Sequence, residues 1–241
     1  MEKPVIDFNN FLLFDGAMGT MLQAAGMQLG EIPEVLGFTS PEILYDIHRA
    51  YALSGSDIIY ANTFGANRHK LKDSEYTVSE VIKKGLANAK EAVKDLGTYV
   101  ALDVGPIGQL LEPTGTLTFE EAYEIYKEQV VAGKDADLIV FETQTDLLEV
   151  KAAILAAKEN SNLPIMVTMT FEENLRTFTG CSVASMALTL EGLGVDAIGV
   201  KTLEARIFDV IDLICAKKPV KALETLNTLY AIDHDKYSFT Q

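Results

Sequence analysis

Cysteine is scarce in this sequence. The 241-residue chain holds two, Cys181 and Cys215. They form no CxxC pair and are too few for a disulfide framework, which argues against a small stapled secreted scaffold and suits a reduced cytoplasmic setting. Basic residues are also in short supply. Twenty Lys and Arg stand against 35 Asp and Glu, for a net charge of −15. That balance argues against a nucleic-acid partner, because little would offset phosphate repulsion. The acidic surplus reads instead as a solubility feature. No apolar run reaches the roughly 20 residues of a membrane span, and the opening MEKPVIDFNN lacks the apolar centre of a secretory leader. The expectation is a soluble, cytoplasmic protein without a membrane partner.

What the chain does have is alternation. Residues 11–20, FLLFDGAMGT, carry four apolar residues straight into an acid and a glycine. This is the pattern of a buried strand with a polar tip. Similar strands are expected at 57–64, 99–106, 136–143, 163–171 and 196–200. Helices are expected between them: 18–25, one opening at Ser40-Pro41, 78–96, one opening on a Thr118–Glu121 capping box, 146–159 and 182–193. Near-continuous apolar strands are covered on both faces, which implies a parallel sheet with helices outside. No GxGxxG follows the first strand, which disfavours a doubly wound nucleotide-binding sheet. The expected fold is therefore α/β: a partial (β/α)8 TIM barrel with about six βα units, where a closed barrel needs about eight. Two C-terminal helices follow, at 204–216 and 220–230. This divides the chain into a barrel portion, 1–202, and a helical tail of different character, 203–241.

Asp15, Asn62, Asp103 and Glu142 all fall at C-terminal strand ends, where such barrels carry their sites. Each also has a plainer reading. Asp15 and Glu142 could cap the following turn or helix, and Asn62 could be a turn residue. His48 and His69, beside Arg49 and Arg68, are expected to be solvated or locally paired. Cys181 and Cys215 read as small fillers, and the alternating charges of 83–94 as a solvated helix face.

Several blocks taken together carry a family likeness. DGAMGT, HRAYALSGSDIIYANTFGANRHKL, DVGPIGQLLEPTG, LIVFET and VTMTF…RTFTG, spread over roughly 8–200, resemble the homocysteine S-methyltransferase family. Within it they are most similar to the homocysteine-binding domains of cobalamin-dependent methionine synthases. The resemblance implies a (β/α)8 barrel in which zinc, held by three cysteine thiolates, activates the homocysteine sulfur as a thiolate nucleophile. It implies a methyl donor from cobalamin, sulfonium or betaine chemistry. It places Asp15, with Gly16 and Ala17, near the substrate amino group, Asn62, Thr63 and Phe64 beside the substrate, and Glu142 in contact with homocysteine. Asp103 and Gly105 match a loop of architectural character.

The sequence also departs from the pattern. Lys201-Thr202 stands where the first zinc cysteine is expected, no GGCCG stretch follows, and neither Cys181 nor Cys215 falls at a ligand position. The expectation is that zinc, the family's metal, lacks its ligands here and that methyl transfer is impaired. Cobalamin would enter only through other domains of a full-length methionine synthase. The other reading is a non-catalytic, degenerate barrel serving as an interaction or scaffold protein, with oligomers forming through open sheet edges. The segment from Glu204 onward resembles, faintly, a helical pair of the delta subunit of bacterial DNA polymerase III.

Overall fold

The computed structural model describes residues 5–28 and 30–202. After a short helix α1 (Met18–Ala24) come the single turn α2 (Leu36–Thr39) and α3 (Pro41–Leu53). Strand and helix then alternate: β1 (Ile58–Tyr60), α4 (Val78–Val93), β2 (Tyr99–Val104), α5 (Phe119–Ala132), β3 (Leu138–Gln144), α6 (Leu147–Asn160), β4 (Ile165–Phe171), α7 (Val183–Gly192) and β5 (Ala197–Thr202). The five strands form one parallel sheet in the order β1-β2-β3-β4-β5. Sequential parallel pairing with a helix in every crossover is the barrel repeat. The described residues form a curled partial TIM barrel.

Period-two alternation divides the core into two layers. Ile59, Val100, Leu102, Ile139, Phe141, Ile165, Val167 and Met169 point outward, under α4, α5 and α6. Ile58, Ala101, Leu138, Val140, Met166 and Ala197 point inward and pack with Ile6, Phe8, Leu12 and Phe14. Both faces are therefore apolar at mid-strand. Helices α4 to α7 start where side chains satisfy orphan backbone N–H groups. Thr77 with Glu80 and Thr118 with Glu121 each form a complete capping box, while Asp146 and Ser182 cap α6 and α7.

Four expectations are corrected. First, residues 11–16 form no full strand but a single parallel bridge, Phe14 to Ile58. It is backed by the Asp57 N–H donating to Leu13 O at 2.8 Å. This stretch lies on the outer side of β1, and Phe11 is 79% exposed, so the apolar run is only partly clamped. The sheet thus has five strands and one bridge where six strands are expected. Second, 57–64 shortens to Ile58–Tyr60. The chain coils from Ala61 through a tight turn in which the Thr63 N–H donates to Ala61 O (2.8 Å) and the Ala66 N–H to Thr63 O (2.9 Å). Third, Ser40 precedes Pro41 as expected, but its side chain makes no cap hydrogen bond. Fourth, His48 is not solvated: it is fully buried on α3, with no hydrogen-bond partner at either ring nitrogen. It sits on the Leu44–Ile47–Tyr51 stripe of α3, which turns into the protein. The expected tail helices, the 203–241 segment and Cys215 lie outside the described residues.

Candidate functional site

The inward alternation that gives an apolar layer at mid-strand gives a polar layer one step further along. Counting by two from Ala101, Val140, Met166 and Ala197 reaches Asp103, Glu142, Thr168 with Thr170, and Lys201. Thr170 and Lys201 are register partners. Asp15 joins this layer from the bridge strand, where both its carboxylate oxygens accept from the Tyr60 N–H at 3.2 Å. Three carboxylates and one ammonium group therefore gather at the C-terminal end of the strands, the end where βα barrels place chemistry.

A local irregularity in β3 shapes this layer. Between Phe141 and Gln144 the pairing with β4 slips, so that Glu142 and Thr143 share the space opposite Thr168. Thr143 adopts φ 57°, a left-handed conformation that a β-branched residue rarely takes. Its N–H donates to Thr168 Oγ1 at 3.0 Å. Bulges re-aim side chains near functional sites, and here both Glu142 and Thr143 meet Lys201. The ammonium group of Lys201 is ion-paired with the Glu142 carboxylate and donates to Thr143 Oγ1 at 3.3 Å. Gly199, two residues back on β5, leaves the space taken by Thr168: a Cβ there would stand 2.8 Å from Thr168 Cγ2.

The electrostatics follow from burial and from like charge. Burial pushes the Asp15 carboxyl up to about 7, against the pull of the Tyr60 N–H and with a further push from the Glu142 charge. Asp103 is raised well above the ordinary carboxylate range, first by burial and then by Glu142, while Lys201 pulls it back. Two polar atoms in the layer are buried without a partner, Asp103 Oδ1 and Thr170 Oγ1. Such atoms cost free energy unless something meets them.

The other expected residues surround this layer. Gly16 is pressed against Tyr51, whose ring would be 2.9 Å from any Cβ. Ala17 O accepts the Tyr51 hydroxyl at 3.2 Å, so the DGA turn rests on α3. Asn62 is buried and donates from Nδ2 to Pro33 O at 2.7 Å. The Thr63 hydroxyl donates to Asp103 O (2.8 Å) and accepts from the Asp103 N–H (3.2 Å). Phe64 lies against Gly105, where a Cβ would meet its ring at 2.6 Å, and Lys70 Nζ stands 5.0 Å from the ring centroid. Thr63 and Phe64 thus fix the β1 tip to the β2 tip and hold Asp103 in place. Behind them, Glu34 accepts from the Gly65 N–H at 2.6 Å. Glu149 accepts from the Ile107 N–H and the Tyr126 hydroxyl, both at 2.7 Å. Sequence reasoning treated Asp103 as architectural and missed Thr170 and Lys201 as members of the layer. The signal that finds all three is the inward alternation carried across neighbouring strands.

Among the described residues no three His, Cys, Asp or Glu side chains are arranged to hold a metal ion. Cys181 is the cysteine among them. Its thiol donates to Ser182 O at 3.3 Å and burial raises its pKa. The described donors are hard carboxylate oxygens beside an ammonium group, a poor match for a soft thiolate zinc centre. The three-thiolate site implied by the resemblance does not fit these residues.

Fold and site together define a partial βα barrel with a charged polar layer at its C-terminal strand ends. The chain matches the family described as homocysteine S-methyltransferase over residues 12–229. It belongs to that family. The methionine synthase of Mycobacterium tuberculosis is 33% identical over 235 residues, and that of Mycobacterium leprae 32%. Each match covers 89% of this chain but only 18% of the relative, so the chain spans under a fifth of those proteins' length. Among solved structures, the metallated form of the homocysteine methyltransferase MmuM from Escherichia coli aligns with a TM-score of 0.70 at 20% identity, covering 78% of this chain and 74% of that one. The oxidized form gives 0.70 at 21%, covering 78% and 72%. At these identities the likeness speaks for the fold. Among the described residues no helix is long and apolar enough to cross a membrane.

Proposed function

We propose that this chain is a homocysteine-binding domain of methyl-transfer chemistry that receives the amino-acid end of homocysteine in the polar layer. The observation that carries the reading is the meeting of Asp15, Asp103 and Glu142 at the strand ends of a chain of this family. In this reading Asp15 and Glu142 face the α-ammonium group of the substrate, and Gly16 with Ala17 leaves its backbone accessible beside them. Asn62, Thr63 and Phe64 form the adjoining wall. The family chemistry moves a methyl group onto the thiol, which is the nucleophile only as thiolate. The full sequence holds two cysteines, too few for a three-thiolate site. In this reading the chain by itself binds homocysteine and turns it over poorly, with zinc weakly held and cobalamin reached only through further domains of a longer protein.

The test is calorimetric titration with L-homocysteine of the wild-type chain and of Asp15→Asn. Saturable one-to-one binding that Asp15→Asn weakens at least tenfold at pH 8 supports the assignment. Absence of binding, or binding indifferent to Asp15, removes it. Turnover of homocysteine with methylcobalamin or a sulfonium donor, accompanied by one tightly bound zinc per chain, would overturn the impairment.

A further inference from the structure

The polar layer contains its own cation. Three carboxylates gather in that layer, and Lys201 reaches one of them, Glu142, directly and leans on Thr143 beside it. Both partners are largely withdrawn from solvent, with 30% of the Lys201 side chain and 16% of the Glu142 side chain exposed. An ion pair at that depth has shed much of its hydration, so breaking it without replacement is costly. The layer is nevertheless unsaturated. Asp103 and Thr170 are 94% and 93% buried, yet Asp103 Oδ1 and Thr170 Oγ1 have no partner. Thr170 is the register partner of Lys201. The β3 bulge is what brings Glu142 and Thr143 to this ammonium group. Unfilled polar atoms next to a filled charge pair describe a ligand site in which one contact is already made internally.

We propose that Lys201 is a specificity-determining residue: its ammonium group competes with a ligand's α-ammonium group for Glu142, so it narrows the margin by which the site favours homocysteine over a mercaptocarboxylate of the same length. The inference rests on the reading of this layer as the homocysteine site. A ligand bearing an ammonium group has to displace Lys201 or share Glu142 with a like charge. A ligand of the same length without that group leaves the Lys201–Glu142 pair intact. Lys201 thus sets a selectivity ratio, and removing its charge shifts the ratio towards the amino acid by returning Glu142 to the ligand.

The experiment compares L-homocysteine with its des-amino analogue, 4-mercaptobutyrate, by calorimetry on the full chain and on Lys201→Met and Lys201→Gln. The expected result is at least a tenfold rise in the preference for homocysteine over 4-mercaptobutyrate in both variants. An unchanged or reduced preference, with homocysteine still bound by the wild type, overturns the role of Lys201 and leaves the homocysteine reading standing. No binding of homocysteine by any of the three proteins removes both. A second measurement needs no variant. Lysine acetylation read by mass spectrometry should find Lys201 protected in the free chain and more reactive, by several fold, under saturating homocysteine. Reactivity equal to that of an exposed lysine in the free chain, or no response to homocysteine, counts against the proposal.

Discussion

Two titratable residues, one buried and one half-buried, oppose one another in their pH behaviour. His48 is fully buried with both ring nitrogens unpaired, and burial lowers its pKa to about 4. Its folded value lies below the unfolded value of 6.5. The stability tied to its neutral form is therefore complete above that value and is lost as pH falls towards 4. The unpaired nitrogens cost about 1–3 kcal/mol. His48→Leu is expected to raise the urea unfolding free energy at pH 7 by about that much, a gain that a matching or lower midpoint would refute. Asp15 behaves in the reverse sense. Its carboxyl is raised to about 7, so it is mostly protonated at pH 6 and mostly ionised at pH 8. A ligand cation needs the ionised form. Homocysteine affinity should climb about tenfold between those two pH values in the wild type, following the ionised fraction. In Asp15→Asn that climb should be absent; calorimetry across the range reads it directly.

Among the elements, the capped helices and the apolar strands were the legible part. Thr118 and Glu121 announce α5 by their spacing alone, and the capping box forms as expected. Removing it with Thr118→Ala should cost about 1 kcal/mol in chemical denaturation. The runs around Ile139 and Val167 locate β3 and β4 because strands buried on both faces must be apolar throughout. Residues 11–16 carry an equally apolar pattern yet form only a bridge, since a strand's extent depends on what lies beside it as well as on its own residues. His48 shows the converse. The helical stripe Leu44–Ile47–Tyr51 marks its position as inward, while its residue type argued for solvent. In the site, Asp15 and Glu142 were legible as acids at strand tips. Lys201 and Thr170 were not, because their membership depends on register between strands. The β3 bulge left no trace in the sequence, since threonine is an unfavourable choice for φ 57°. That strain suggests a further test. Thr143→Gly should release about 1–3 kcal/mol of backbone strain and return about 0.5–1 kcal/mol of it to glycine's unfolded-state entropy, a net gain near 1 kcal/mol. Homocysteine binding should be retained in the same variant, because glycine keeps the bulge that turns Glu142 towards the layer. A destabilised protein with lost affinity would contradict both halves.

For the whole molecule, the distribution of protons follows from where the fold buries its acids. Burial raises Asp15, Asp103 and Glu149 above their ordinary values. The folded state therefore holds protons on these three groups at a pH where the unfolded chain has released them. His48 is the opposing case, holding its proton only in the unfolded chain between pH 6.5 and about 4. Where the two effects overlap, Asp15 offsets the imidazole and Asp103, raised well above the ordinary range, tips the balance, so stability should fall as pH rises from about 5. Above 6.5 the histidine no longer contributes to the slope, and Asp15 continues to lose its proton through about 7. The net charge of −15 adds in the same direction, since self-repulsion grows as further groups ionise. Towards the acid end the trend reverses. Asp95, lowered to about 2 by the Arg49 guanidinium, and Glu80 and Glu121, lowered by their capping bonds, lose their favourable ionised state there, and His48 is driven to charge. The expected profile is a thermal midpoint highest near about pH 5 and declining steadily to pH 8. Asp15→Asn should flatten the decline between pH 5 and 8, and His48→Leu should steepen it between pH 5 and 6.5. Thermal scans of the three proteins in one buffer series at fixed ionic strength separate these contributions. A midpoint that rises from pH 5 to 8 in the wild type would mean that the buried carboxyls are ionised in the folded protein, and that the polar layer carries a full set of negative charges.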